Sequence, residues 1–94
     1  MVVLNVRYKV KPGCKDIFYN MVNEEGIPEK SRAEAGNVKY EYFMSVDDDN
    51  LILLIEHWKD DDAFEFHKAQ EYFKRLQEIK EEYVAEAVVE RYEG

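Results

Sequence analysis

Residues 38–58 read VKYEYFMSVDDDNLILLIEHW, and this stretch decides the fold. Its first part alternates apolar and polar positions with a period of two, which is typical of a strand with one buried face. Asp47, Asp48, Asp49 and Asn50 then favour a turn because their side chains bond their own backbone. A second apolar strand starts at once, so the stretch predicts an antiparallel hairpin. The strand residues of the first part alternate as Val38, Tyr40, Tyr42, Met44 and Val46 against Lys39, Glu41, Phe43 and Ser45.

Before the hairpin, residues 2–10 alternate in the same way and predict a first strand. Pro12 and Gly13 end it, because proline fixes its backbone and glycine permits a turn. A helix is expected from Cys14, with Ile17, Met21 and Val22 on its apolar face, and a second short turn from Pro28. Gly36 is predicted to end that turn as a left-handed cap.

After the hairpin, Asp60 is the expected N-cap of a further helix, followed by a helical segment over about residues 71–82. Residues 84–92 predict a last strand, with Val84, Val88 and Tyr92 on one face and Ala85, Ala87, Val89 and Arg91 on the other. The order β-α-β-β-α-β is the ferredoxin-like α+β pattern, a four-stranded antiparallel sheet with helices over one face.

Large rings fall on both faces of the predicted second strand, since Tyr40 and Tyr42 alternate with Phe43. A sheet with helices on one side only would leave apolar area on the other side in water. A homodimer that packs sheet against sheet is therefore the expected assembly.

The composition narrows the class of protein. Ninety-four residues predict one domain, residues 1–94, with a thin core. The net charge of −8 argues against nucleic acid and anionic membranes as partners. No apolar run approaches the length of a membrane helix, and no signal peptide is visible. The single cysteine, Cys14, fits a reducing cytoplasm, and no partner histidine gives it a role.

His67 is the first candidate for chemistry. Helical spacing places it with Ala63 and Phe64, near the apolar face that covers the sheet. An imidazole at the edge of an apolar pocket can remove a proton from a phenol or an enediol. Alternatively, His67 is a structural histidine bonded by a backbone carbonyl or by Glu71, four residues on.

Strand alternation divides the polar residues that end the hairpin. Glu56 and Trp58 share one face, whereas His57 points to the other and cannot join them. A buried Glu56 needs a donor, and Arg32 or Arg7 is the expected one, in a structural ion pair or in catalysis. Trp58 is either a cavity wall or core.

The remaining polar and aromatic candidates have weaker signals. Asn37 either bonds a substrate oxygen or, by preference, caps the helix before it. Tyr40, Tyr42, Tyr72 and Phe73 are candidate pocket walls whose default role is packing. No metal site, calcium loop or glycine-rich phosphate loop is present in the sequence pattern.

Three segments together resemble the antibiotic biosynthesis monooxygenase family. The segments are VRYKVKPG at residues 6–13, SRAEAGNVKYE at 31–41 and IEHWKDDDAFEFH at 55–67. They carry a Ser-Arg-x-Glu-x-Gly segment with a tyrosine four residues past the glycine, a Glu-x-Trp, and a histidine nine residues beyond that tryptophan. The matching positions are Ser31, Arg32, Glu34, Gly36, Tyr40, Glu56, Trp58 and His67.

The resemblance is nearest to the quinol monooxygenase and signal-sugar isomerase members. It implies a dimeric α+β barrel and, as the leading function, a cofactor-independent oxidation of a small quinol-like or enolic substrate by dioxygen. His67 would be the base, Trp58, Tyr40 and Tyr72 the walls, and Arg32 or Asn37 the polar anchors. Many members have a second histidine four residues after the first, where this chain has Glu71.

The same resemblance leaves two alternatives. One is an isomerase of a small phosphorylated signal sugar, which would need a basic anchor from Arg7, Arg32 or Lys39. The other is a non-catalytic barrel that only binds a small molecule.

Overall fold

The helices and strands of the computed structural model, which describes residues 1–94, follow the predicted order. The chain forms β1 (Val2–Val10), α1 (Lys15–Glu24), α2 (Ile27–Arg32), β2 (Asn37–Met44), β3 (Leu51–Trp58), α3 (Asp61–Lys68), α4 (Glu71–Tyr83) and β4 (Val84–Glu93). All neighbouring strands pair antiparallel, in the order β2-β3-β1-β4. The ferredoxin-like α+β prediction is confirmed.

The core lies between one face of the sheet and the helices. Alternate residues of β1 are buried, from Val2 to Val10, and the same period runs along β3. The residues that cover them are Phe18 and Val22 of α1, Ile27 of α2, and Leu76 and Ile79 of α4. None of the helices has the length and hydropathy that crossing a membrane would require.

The opposite face of the sheet carries no helix, and we call it the outer face. Its central residues on β3 are Leu51, Leu53 and Ile55, all of them partly exposed. Phe43 of β2 is 38% exposed, and Val88 of β4 is 45% exposed on the same face. The outer face is therefore substantially apolar, as the alternation of β2 predicted.

The predicted apolar face of α1 was partly wrong. Ile17 is 49% exposed, whereas Phe18 and Val22 are fully buried. These two residues are four apart, so they lie one above the other on the face that meets the sheet. Met21 packs beside them, half-buried.

Two bulges change which side chains face inward. In β2 the register shifts between Asn37 and Lys39, which turns Val38 outward at 56% exposure; Val46 lies beyond the strand end. In β4 the register shifts after Val84, so Val84 does not share a face with Val88 and Tyr92 as predicted. An extra residue in one strand reverses the alternation that follows it.

Gly36 is not a left-handed cap. Positive φ occurs only at Gly13 and Gly26. At Gly36 the constraint is space, because a Cβ there would lie 2.3 Å from the Cβ of Ala63 in α3. Absence of a side chain lets the segment before β2 touch the helix that carries His67.

Candidate functional site

His67 lies in the interior, between α3 and the sheet. The side chain of Asp60 accepts a hydrogen bond from Ala63 N at 2.9 Å, which confirms the predicted cap and fixes the start of α3. His67, in the last turn, is only 1% exposed. Its ring is 4.4 Å from the Trp58 ring, centroid to centroid, and the rings of Tyr40, Tyr72 and Phe73 surround it at 5.3–6.3 Å.

Glu34 holds the imidazole. It lies between α2 and β2, is 9% exposed, and places Oε2 2.7 Å from Nδ1 of His67. The hydroxyl of Tyr72 donates to the same oxygen at 2.5 Å. With the proton of His67 on Nδ1, Oε2 accepts both of these bonds. The lone pair of Nε2 is left free.

Glu56 is the second buried carboxyl group of the cluster. Its Oε1 accepts a hydrogen bond from Trp58 Nε1 at 3.1 Å and lies 3.9 Å from Nε2 of His67. Burial raises the pKa of Glu56 to about 7, an effect that Glu34 reinforces and that the Trp58 hydrogen bond and Lys80 oppose. Near neutral pH this carboxyl group is therefore ready to give or take a proton.

The environment keeps His67 neutral. Burial lowers its pKa, and the hydrogen bond and charge of Glu34 only partly oppose this effect. A neutral imidazole with Nδ1–H fixed and Nε2 free has the form required of a general base.

The hydroxyl groups of Tyr40 and Tyr42, next to this cluster, influence each other but have no well-directed hydrogen-bond partner. Tyr40 is 2% exposed, and neither its hydroxyl nor that of Tyr42 makes a hydrogen bond of acceptable geometry. Burial is the main cause that raises the pKa of both groups, so they remain protonated donors. The second oxygen of Glu34, Oε1, is likewise unpartnered. Buried polar atoms without partners are rare and mark places where a ligand or water is bound.

Several predicted contacts are different in the structure. Arg32 does not pair with Glu56; its Nε donates to the carbonyl of Tyr40 at 2.7 Å. Arg7 is exposed on the outer face, so it cannot reach Glu56 either. The partner of His67 is Glu34, not Glu71, which is exposed and lies 4.0 Å from Lys74.

Asn37 is not a helix cap. Its Nδ2 donates to the carbonyl of Lys39 at 3.1 Å and to that of His57 at 3.5 Å, at the bulge that opens β2. His57 faces away from the cluster, as strand alternation predicted, because Glu56 and Trp58 are buried on the inner face.

No role was predicted for Glu34, although it is central to this site. It belongs to the Ser-Arg-x-Glu-x-Gly segment, which was the available signal. Its pairing with His67 could not be predicted, because the two residues are 33 positions apart and meet only when α2 and α3 pack against the same sheet.

The cluster is closed, and Tyr72, which contacts both Glu34 and His67, reaches from it to the surface. The five main surface clefts are lined by residues other than His67, Glu56 and Trp58. Tyr72 borders the cleft of about 440 Å³ between α2 and α4, and Lys80 borders one of about 270 Å³ between α4 and β4. No three His, Cys, Asp or Glu side chains are grouped to hold a metal ion.

Known proteins share this fold and these sequence motifs. The family model described as "Antibiotic biosynthesis monooxygenase" matches residues 1–79. A Bacillus subtilis protein named "Putative monooxygenase YcnE" is 35% identical over 74 residues, which are 79% of this chain and 76% of the relative.

Solved structures show the same architecture. PA3566 from Pseudomonas aeruginosa is 27% identical, with a TM-score of 0.87 over 99% of this chain and 92% of its own. A Nitrosomonas europaea protein, 24% identical, shares the fold with a TM-score of 0.89 over 100% of this chain and 98% of its own. The resemblance read from the three sequence segments is confirmed: the chain belongs to the antibiotic biosynthesis monooxygenase family.

Proposed function

We propose that this protein is a cofactor-independent monooxygenase that oxidises a small quinol-like or enolic aromatic compound with dioxygen. The observation that carries the proposal is the buried pair of Glu34 Oε2 and His67 Nδ1 at 2.7 Å, which leaves Nε2 free among unpartnered hydroxyl groups. Membership of the family and the name of the Bacillus subtilis relative support a monooxygenase-like role.

In this mechanism Nε2 of His67 removes the proton of a substrate hydroxyl group. Glu34 stabilises the imidazolium that forms, as an acidic partner does for a catalytic histidine. The substrate anion then reduces dioxygen directly: one oxygen atom is bonded to the ring and the other leaves as water. For a quinol, the products are one hydroxyquinone and one water, and all four electrons come from the substrate.

The surrounding residues fit the other needs of such a reaction. Trp58 and Tyr40 are almost completely buried and exclude water from the reacting anion. The hydroxyl groups of Tyr40 and Tyr42 interact with each other but form no well-directed hydrogen bond, so they can turn to donate to a substrate or intermediate oxygen. Because the cluster is closed, the substrate enters only when a side chain moves, and Tyr72 borders both His67 and the cleft of about 440 Å³ between α2 and α4.

The isomerase alternative gains no support from the expected phosphate anchors. Arg7 and Lys39 lie on the outer face, paired with Leu53 and His57 in the sheet register. The Nε of Arg32 is engaged by the Tyr40 carbonyl. The Nε of Arg32 and the Nδ2 of Asn37 thus donate to backbone carbonyls, and the mechanism above uses neither residue.

Oxygen consumption with a panel of reduced quinols tests the proposal. The wild-type protein is expected to accelerate uptake above the spontaneous rate, with labelled oxygen from ¹⁸O₂ in the product. His67→Ala should lower the rate about 100-fold or more, the usual contribution of a general base. His57→Ala is the matched control, since His57 faces away from the cluster, and it should retain the rate. No acceleration with any quinol contradicts the proposal.

We also propose that the outer face forms a homodimer, sheet against sheet. The support is the row of Leu51, Leu53 and Ile55 at the centre of a face that no helix covers. The mass in solution, measured by light scattering, should be about twice the chain mass of 11.2 kDa. Leu53→Glu should give a monomer, whereas Val46→Glu, at a residue 95% exposed outside the strands, should not. A wild-type monomer at micromolar concentration would contradict the dimer.

A further inference from the structure

Tyr72 is the residue of the His67 cluster that also lines a main surface cleft. Its ring lies 6.3 Å from the ring of His67, centroid to centroid, and its hydroxyl donates to Glu34 Oε2 at 2.5 Å. The same side chain is half-buried and borders the cleft of about 440 Å³ between α2 and α4. None of the five main clefts is lined by the other rings around His67, which are those of Tyr40, Trp58 and Phe73. A path from this cleft to His67 therefore leads past Tyr72.

One strong hydrogen bond holds the Tyr72 side chain in this position. Besides its bond to Glu34, the hydroxyl has only a contact of 3.5 Å with the carbonyl of Lys30. The helix that carries Tyr72 begins one residue earlier, and its N-cap, Gln70, makes no side-chain bond to the backbone. A hydrogen bond to a carboxylate favours the bonded position about 10- to 100-fold over an unbonded one. Breaking this bond is thus the main polar cost of moving Tyr72 toward the cleft.

The other walls of the cluster are held more firmly. Trp58 is fully buried and Tyr40 is 2% exposed, so moving either ring would disrupt the packing of the sheet against the helices. Phe64 is half-buried and lies 6.3 Å from the Trp58 ring, but it lines none of the main clefts. The ammonium group of Lys68 covers it, 4.5 Å from the centre of the ring. Tyr72 is therefore the wall that can move at the smallest cost.

The cleft beside Tyr72 suits an uncharged aromatic compound. Its volume lies in the range of small-molecule sites, about 300–1,000 Å³. Arg75 in this cleft is neutralised by Glu25 and Glu78, each 3.2 Å away. The charged residues that line the cleft are three acids and three bases, namely Glu25, Glu71, Glu78, Lys30, Lys74 and Arg75. Equal numbers of the two charges give the cleft no net attraction for an ion, which fits a neutral quinol.

We propose that the cleft between α2 and α4 is the entrance to the His67 site and that Tyr72 is its gate. In the closed position the hydroxyl of Tyr72 is bonded to Glu34; in the open position this bond is broken and the ring has moved into the cleft. The inference rests on the proposed function and adds the route by which a neutral quinol reaches His67.

Chemical modification of His67 tests the gate without any substrate. Diethyl pyrocarbonate acylates a neutral imidazole, so at pH 8 its rate on His67 reports the fraction of molecules in which the gate is open. Mass spectrometry of peptides gives the rates for His67 and His57 separately. His57 is the internal reference, because it lies on the outer face, away from the cleft, and should react at one rate in every variant.

In wild type, His67 should react much more slowly than His57. Tyr72→Phe keeps the ring and removes the bond to Glu34, so His67 should react about 10- to 100-fold faster than in wild type. Tyr72→Leu, which also removes the ring, should react at least as fast as Tyr72→Phe. The matched control is Phe64→Leu, which removes a half-buried ring on another side of the cluster and should leave the rate on His67 as in wild type.

Urea unfolding of each variant shows whether a faster reaction comes from a general loss of stability. The gate is supported if the Tyr72 variants react faster than a Phe64→Leu protein of equal or lower stability. Three results would overturn it: a wild-type His67 that reacts as fast as His57, a Tyr72→Phe rate equal to that of wild type, or an equal acceleration in Phe64→Leu.

Oxygen uptake with quinols, measured on the same proteins, separates this inference from the proposed function. If substitution of Tyr72 exposes His67 and no quinol is oxidised, the gate stands and the monooxygenase reaction falls. If uptake depends on His67 but the Tyr72 variants leave its modification rate unchanged, the monooxygenase stands and the gate falls.

Discussion

Glu34 and His67, 33 residues apart in the chain, meet in the interior with Oε2 2.7 Å from Nδ1. Both side chains are at least 95% buried. A buried carboxylate bonded to one ring nitrogen fixes the tautomer of a histidine and directs its other nitrogen. The free Nε2 then points toward Glu56, 3.9 Å away. This arrangement makes Glu34 a positioning residue for His67. A variant that keeps the contact but removes the charge of Glu34 distinguishes this role from a purely structural one.

Glu34→Gln should retain the shape of the contact and remove its charge. Because Glu34 raises the pKa of His67, the substitution should lower that pKa further, as measured by NMR titration of the imidazole. If quinols are substrates, kcat should fall about 10- to 100-fold with a smaller change in KM. Glu71→Gln, at an exposed position on α4, is the control. An unchanged His67 titration in Glu34→Gln contradicts the positioning role.

Glu56 should make stability depend on pH. Its folded pKa of about 7 exceeds the ordinary 4.5, so the folded state binds more protons between these values. The stability it contributes is full below about pH 4.5 and is lost as the pH rises through 7. His67 acts oppositely, since its lowered pKa costs stability as the pH falls below 6.5. Only a comparison of variants isolates Glu56.

The comparison is wild type against Glu56→Gln in urea unfolding at pH 5 and pH 8. The difference in the free energy of unfolding should favour wild type by about 2–3 kcal/mol more at pH 5 than at pH 8. Glu71→Gln should show no such change. If wild type and Glu56→Gln differ in the free energy of unfolding by the same amount at pH 5 and pH 8, Glu56 titrates normally in the folded protein.

Trp58→Phe should destabilise the protein by about 2–3 kcal/mol, because it removes buried volume and the indole donor to Glu56. The hydrogen bond from Trp58 lowers the pKa of Glu56, so that pKa should rise in the variant. Urea unfolding followed by circular dichroism gives the stability. In a double-mutant cycle with Glu56→Gln, we expect a coupling of about 1 kcal/mol; strict additivity would mean that the bond contributes nothing.

The features that depend on local sequence pattern, such as strand faces and helix caps, could be predicted. Alternation placed Glu56 and Trp58 on the inner face and His57 on the outer one, and Asp60 was identified as the cap. Errors arose where one extra residue shifts the register, as at Val38 and after Val84. Such bulges have no reliable sequence signal, and every later residue changes face.

The pairing of side chains was the least predictable feature of the site. Both the Glu34–His67 contact and the position of Lys80 over Tyr8 depend on how helices pack on the sheet. Residue type suggested arginine as the partner of Glu56, yet the nearest donor is the indole two residues along the same strand. Local pattern thus predicted the burial of Glu56 and Trp58, and packing determined which residues they touch.

A substitution at Gly36 tests whether the position of α3 controls the position of the His67 imidazole. Gly36→Ala would place a Cβ 2.3 Å from the Cβ of Ala63, and relief of such overpacking typically costs about 1–3 kcal/mol. Ala63 is one turn before His67 on the same helix face, so the helix should shift and alter the NMR signals of the imidazole.

Ala63→Gly should rescue this variant, since it removes the atom that clashes. By itself, Ala63→Gly should lower the free energy of unfolding by about 1 kcal/mol, the usual penalty of glycine in a helix. Adding Gly36→Ala to this variant should lower it little further. Gly13→Ala is the control: its φ of 78° makes alanine strained, but no atom lies within 4 Å of the added Cβ, so Ala63→Gly cannot relieve it. If Gly36→Ala lowers the free energy of unfolding by the same amount in wild type and in Ala63→Gly, its effect does not come from contact with α3. The close approach at Gly36 then does not position His67.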